Sequence, residues 1–146
     1  MPVKDSGSFK VMLVEDDEGF RRSIAQSLRT RFPSVVLYEA ADGSEAMDKV
    51  NSFLPQLVFM DIRLPGQNGL ELTRQIKALH PEIHVVMLTN YDFPEYREAA
   101  HECGACCFLS KGSLTTRQIH DVVEELWREG KASCAQSDER RNAGLN

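Results

Sequence analysis

Five short apolar runs punctuate the chain, at residues 11–14, 35–37, 57–60, 85–88 and 106–109. Their starts lie 24, 22, 28 and 21 residues apart. Continuous runs of this length predict strands buried on both faces, as in a parallel sheet. Parallel neighbours need crossovers, and each interval leaves room for a helix. The intervening segments carry the matching signal, apolar residues three or four positions apart. Phe20, Ile24 and Leu28 make a first stripe. Ala46, Met47 and Val50 make a second, after a turn at Gly43 and a cap at Ser44. Leu72, Ile76 and Leu79 make a third, which should stop by His80 because Pro81 follows. A weaker fourth helix covers 94–103, with Gly104 as its C-terminal stop. Ile119, Val122, Val123 and Leu126 make a fifth, opened by the capping box Thr115-x-x-Gln118. The pattern is α/β, a (βα)5 chain. Wound right-handedly, it gives a three-layer sandwich with helices on both faces of a five-stranded parallel sheet.

The 146 residues make one domain, expected over 9–129. Residues 1–8 read as an N-terminal extension. Residues 130–146 are polar, carry no apolar stripe and read as a tail or linker. No apolar stretch is long enough to span a membrane and no secretory signal follows Met1, so the expected location is the cytoplasm. Net charge is −5, which argues against a nucleic-acid-binding chain, since phosphate neutralisation needs a cationic face. Cys103 and Cys106 form a C-x2-C pair, but a structural zinc site needs four well-spaced ligands. Cys106 and Cys107 begin an apolar run, and buried free thiols are the plainer reading.

Open α/β sheets bind ligands beyond the carboxyl ends of their strands. Glu15, Asp16 and Asp17 follow the first run, Asp61 the third, Thr89 the fourth, and Ser110 and Lys111 the fifth. A parallel sheet brings all of them to one edge. Clustered carboxylates repel one another unless a cation joins them or a proton is retained. Hard oxygen donors suit magnesium, which keeps waters and accepts phosphate as a further ligand. An aspartate among them can attack phosphorus and form an aspartyl phosphate. A lysine and a hydroxyl would stabilise charge on the transferring group. Taken singly, Glu15-Asp16-Asp17 is a solvated helix start, Lys111 a surface lysine and Thr89 a cap. Their coincidence, each directly after a buried strand, is what points to a site.

At these residues the chain resembles the receiver domains of two-component response regulators, over about 9–129. The resemblance is carried by Val14-Glu15-Asp16-Asp17, by Asp61-x-x-Leu64-Pro65-Gly66-x-x-Gly69, by Leu88-Thr89 and by Phe108-Leu109-Ser110-Lys111. It implies a flavodoxin-like (CheY-like) fold with strand order 2-1-3-4-5. It implies Asp61 as phosphoacceptor and Mg2+ held by Asp16, Asp61, Glu15 through water and the backbone carbonyl of Arg63. Lys111 would bind the phosphate. Thr89 and Phe108 would be the switch pair, the hydroxyl moving towards the phosphoryl group and the ring turning inward behind it. Asp17 is read as a helix cap or a further acid. The implied partner is a histidine kinase or phosphotransfer protein. The implied readout face, for a homodimer or an effector, is the fourth helix, fifth strand and fifth helix, with Tyr96, Arg97 and His101 on its surface.

Three departures bear on detail. Gly112 stands where many receivers have proline, so the loop after Lys111 should be looser or held by other contacts. Asn90 replaces a small residue and narrows access to Asp61. Tyr91, with Arg63, sits where the resemblance places tuning of acyl-phosphate hydrolysis, and Tyr91 is expected to shield it from water. The intervals of 28 residues from Asp61 to Thr89 and 50 from Asp61 to Lys111 resemble NarL/FixJ-type transcription regulators. Their receivers precede a helix-turn-helix domain. No such motif follows here, so this chain alone should not bind DNA specifically. Two further readings are a small magnesium-dependent phosphatase and an unphosphorylated adaptor. The first would need a general acid or base at the carboxyl edge, where no histidine falls. The second usually accompanies loss of acidic residues that are all present here.

Overall fold

The computed structural model describes residues 8–90 and 93–129. The expected tail, most of the N-terminal extension and Tyr91 lie outside these residues. Five strands alternate with five helices: β1 Lys10–Val14, α1 Glu18–Arg31, β2 Val36–Ala40, α2 Gly43–Phe53, β3 Leu57–Asp61, α3 Gly69–Leu79, β4 His84–Thr89, α4 Pro94–Glu102, β5 Cys107–Ser110 and α5 Thr116–Glu129. All pairings in the main sheet are parallel, and the order is β2-β1-β3-β4-β5. This is the expected flavodoxin-like order.

Strand alternation divides the core in two. Val11, Leu13, Leu57, Phe59, Val86, Leu88, Cys107 and Leu109 face α1 and α5, meeting Ala25, Leu28, Ile119 and Val123. Met12, Val14, Val58, Met60, Val85, Met87 and Phe108 face α2, α3 and α4, meeting Val50, Leu72, Ile76 and Ala100. β1, β3 and β4 are therefore buried on both faces, as the apolar runs require. β2 differs: Val36 is exposed and Ala40 is the residue fully buried. It is an edge strand, with one neighbour and partial cover, so burial on both faces does not extend to it.

The caps are set by side chains that reach the first turn. Asp17 Oδ1 accepts from Phe20 N at 3.1 Å, so Asp17 caps α1. α2 is capped by Asp42, not Ser44: Asp42 Oδ1 accepts from Glu45 N at 2.8 Å. Ser44 already lies inside the helix, one residue past its start, where its side chain cannot serve the N-cap. Thr115 and Gln118 form the expected reciprocal box, with Thr115 N donating to Gln118 Oε1 and Gln118 N to Thr115 Oγ1. α3 ends at Leu79 with His80 as cap. α4 ends at Glu102, and Gly104 takes a φ of +103° just beyond. Among the described residues no helix is long and apolar enough to cross a membrane.

Candidate functional site

Strand register builds the site. Val14 pairs with Met60, Met60 with Met87, and Met87 with Phe108. Glu15, one residue past Val14, therefore comes level with Asp61, while Thr89 and Ser110 pair one step further out. Glu15 and Asp61 are buried, at 4% and 6% exposure, and Thr89 is fully buried. Asp16 is exposed on the turn between β1 and the Asp17 cap. Carboxylate oxygens of Glu15, Asp16 and Asp61 lie within 4.8 Å of one another. Among the described residues this is the one such group of metal-ligating side chains.

Lys111 joins the cluster at the same carboxyl edge, from just past the outermost strand β5. Its Nζ donates to Glu15 Oε1 at 2.5 Å and to Asp61 Oδ2 at 3.2 Å. Glu15 is fixed further by Asp17 N, which donates to its Oε2 at 3.0 Å. Arg21 Nη1 holds the Glu15 carbonyl at 2.7 Å. Burial pushes the Glu15 carboxyl above the usual range, against the Lys111 and Asp17 hydrogen bonds, and the Asp61 charge adds to the rise. Burial also works against the Lys111 ammonium, but its bonds and charges from Glu15 and Asp61 outweigh that and hold it above an ordinary lysine. The two directions have different sources: burial dominates at Glu15, and the paired carboxylates dominate at Lys111.

The segment after Asp61 is a tight antiparallel ribbon, Arg63–Leu64 against Gln67–Asn68. Gly66 turns it with a φ of +69°, a conformation side chains disfavour. Asn68 Oδ1 then caps α3 at Leu70 N, 2.7 Å away, and Gly69 N donates to Ile62 O at 2.7 Å. Gly69 lies so close to the Asp61 carbonyl that no Cβ fits. Both glycines of the motif thus serve the placement of Asp61. Arg63 is exposed, and its N lies 3.4 Å from Asp61 Oδ1.

Asn90 is exposed at the end of β4. The loop after Lys111 is a short 3-10 turn over Lys111–Ser113, so backbone bonding holds it where proline is missing. Phe108 is buried at 6% exposure, with the Arg97 guanidinium carbon 4.8 Å from its ring centroid. Tyr96 and Arg97 are half-buried and His101 is exposed on α4. One contact had no warning in the motifs: Lys111 Nζ stands 4.6 Å from the Phe20 ring centroid. Phe20 reads in sequence as part of the α1 core stripe. Its position on the first turn after three acids was the available signal.

Family comparison agrees with this geometry. Residues 11–124 match the model of the response regulator receiver domain. The chain belongs to that family. It is 35% identical over 116 residues to the transcriptional activator protein ExaE of Pseudomonas putida, covering 80% of this chain and 54% of that protein. It is 34% identical over 123 residues to the response regulator protein VraR of Staphylococcus aureus, covering 83% and 57%. The chain therefore spans just over half the length of these curated relatives. Among solved structures, the signal receiver domain of the putative response regulator NarL from Mycobacterium tuberculosis superposes with a TM-score of 0.75 at 26% identity, covering 84% of this chain and 98% of that one. A LuxR-family two-component response regulator from Aurantimonas sp. SI85-9A1 gives 0.75 at 28%, covering 91% and 98%.

The protein is thus a receiver domain of two-component signalling. Within it the histidines stay away from the carboxyl edge. His80 bonds Asn51, His84 opens β4, His101 is on α4, and His120 bonds Ser27. Among the described residues, Cys103 and Cys106 form no metal-ligating group. Burial raises the Cys103 thiol and pushes Cys106 up to about 11, so neither is a ready thiolate. Cys107 is disulfide-bonded, which corrects the expectation of a free thiol there.

Proposed function

We propose that this receiver accepts a phosphoryl group on Asp61 from a phosphohistidine of a histidine kinase or phosphotransfer protein. The observation that carries the reading is the Lys111 ammonium shared between Glu15 and Asp61 in a buried acidic cluster. Asp61 attacks phosphorus as the P–N bond breaks, and the electron pair returns to the imidazole. Lys111 then exchanges a carboxylate partner for a phosphoryl oxygen. The new charge, about −1.5 to −2, draws Thr89 towards it. The Phe108 ring turns inward behind Thr89, and α4, β5 and α5 carry the change to a partner.

The donor set fits a small hard divalent cation: three carboxylates, two of them buried, with one ammonium between them. Asp16 and Asp61 would hold magnesium directly, Glu15 through water and Arg63 through its carbonyl. Bound there, magnesium neutralises charge on the phosphoryl oxygens. Arg63, Asn90 and Tyr91 would tune hydrolysis of the acyl phosphate. The role is signalling in the cytoplasm, with catalysis limited to the domain's own phosphorylation and dephosphorylation. The receiver unit is 9–129 and the segment from 130 a tail or linker.

A second reading concerns output. The match covers just over half of the relatives' length, and one of them is named a transcriptional activator. This favours a receiver that controls an attached DNA-binding domain of NarL/FixJ type.

Incubation with acetyl phosphate and magnesium, followed by intact mass, tests the reading. One added phosphoryl group is expected, absent from Asp61→Asn and from a magnesium-free control. Release of inorganic phosphate from external esters with no adduct would instead indicate a phosphatase.

A further inference from the structure

We propose that Phe20 is a positioning residue of the phosphoryl site: its ring face holds the Lys111 ammonium in place beside Asp61. The inference rests on the role proposed above for Lys111. An ammonium has three N–H donors. Those of Lys111 reach Glu15 Oε1 at 2.5 Å and Asp61 Oδ2 at 3.2 Å. The Phe20 ring centroid lies 4.6 Å from the same nitrogen, inside the ~6 Å range over which a cation is drawn to an aromatic face.

Phe20 is itself well fixed. Its backbone N is bonded to the Asp17 cap, and its ring packs on the core between the sheet, α1 and α5. The acidic turn and the ring are thus parts of one rigid helix start. Phe20 and Lys111 together line a cavity of about 190 Å³, with Ser23, Ile24, Leu114 and Thr115. Shrinking the ring enlarges that cavity beside the ammonium. Water and the lysine chain can then enter it, towards the Ser23 and Thr115 hydroxyls.

The aromatic choice has a chemical reason. Lys111 must trade a carboxylate oxygen for a phosphoryl oxygen when Asp61 is modified. A polar residue at 20 would compete for the N–H being traded. A ring face attracts the cation without accepting a directed hydrogen bond in the plane of the exchange. It can persist through the trade and keep water from the ammonium.

The test compares wild type, Phe20→Leu and Phe20→Tyr. The readouts are the initial rate of phosphorylation by acetyl phosphate with magnesium, and beryllofluoride affinity by calorimetry. Phe20→Leu is expected to lose about tenfold in both, and Phe20→Tyr to stay within about twofold of wild type. The wild-type Lys111 ε-protons are expected upfield in NMR from the ring current, a shift lost in Phe20→Leu. A folded Phe20→Leu with wild-type rate and affinity overturns the inference. So does a Phe20→Tyr that falls as far as Phe20→Leu, which would mark a packing role. Should Phe20→Leu fail to fold, wild-type ε-protons at their ordinary position would overturn it alone. A wild type that takes neither phosphoryl group nor beryllofluoride overturns the proposed function and this inference with it.

Discussion

Gly69 lies so close to Asp61 that a Cβ on Gly69 would stand 1.9 Å from the Asp61 carbonyl oxygen. The start of α3 is therefore clamped against the end of β3. Gly69→Ala must push the ribbon or the strand end, at an expected cost of about 1–3 kcal/mol in stability. Asp61 moves with its backbone, so the phosphorylation rate should fall at least tenfold. Urea denaturation and acetyl phosphate kinetics check the two effects. Gly66→Ala is a control: nothing stands near its Cβ, and its positive φ alone should cost about 1 kcal/mol with a smaller kinetic change.

Lys111 is ion-paired with two buried carboxylates, Glu15 and Asp61. On the proposed role of Lys111 as the donor to the phosphoryl group, Lys111→Ala should slow phosphorylation by about 10²–10³-fold. Magnesium affinity should rise in the same variant, because the cation loses a competitor for Glu15 and Asp61. Calorimetric titration reads the affinity. Weaker magnesium binding in Lys111→Ala would contradict the competition.

Metal removal gives an independent check on the acidic cluster. A ligand that binds the folded state alone stabilises it by about 1.4 kcal/mol at tenfold its dissociation constant. Magnesium should therefore raise the melting temperature, and a chelator should reverse the rise. Asp16 is exposed, so Asp16→Asn should fold normally while losing most of this stabilisation. A full magnesium response in Asp16→Asn would remove it from the ligand set.

His120 gives a pH dependence away from the site. Its ring nitrogen lies 2.6 Å from Ser27 Oγ, its ring meets Phe32 edge-on, and Arg31 and Asp121 are its charged neighbours. Burial, then the Arg31 charge, lowers its pKa below the ordinary 6.5, against Asp121 and the Ser27 contact. The unfolded chain thus takes up the proton first. Stability from neutral His120 is present above 6.5 and is lost as pH falls through the lower folded value. Denaturation at pH 7.5 and 5.5 should show a decline that His120→Gln reduces.

The core strands were legible because β1, β3 and β4 are buried on both faces and so read as unbroken apolar runs. β2 was less so, because an edge strand needs less apolar surface. Gly66 and Gly69 were visible as a motif, and their separate jobs, a left-handed turn and a close approach, needed coordinates. Glu15, Asp61, Thr89 and Lys111 were each found by position at a strand end. Phe20 was missed because a residue that serves both the core and the ammonium shows only its apolar periodicity. The Asp42 cap was missed because Asp42 and Ser44 are both good cap residues, and the choice between them depends on the helix's entry angle.

Asp61 itself is proposed to carry the phosphoryl group. Borohydride reduction after acetyl phosphate treatment, followed by peptide mass mapping, reads it directly, because an acyl phosphate is reduced to the alcohol. Homoserine at position 61, dependent on magnesium and on acetyl phosphate, is the result this account predicts. A reduced residue elsewhere in the acidic cluster, with position 61 still aspartate, would contradict it.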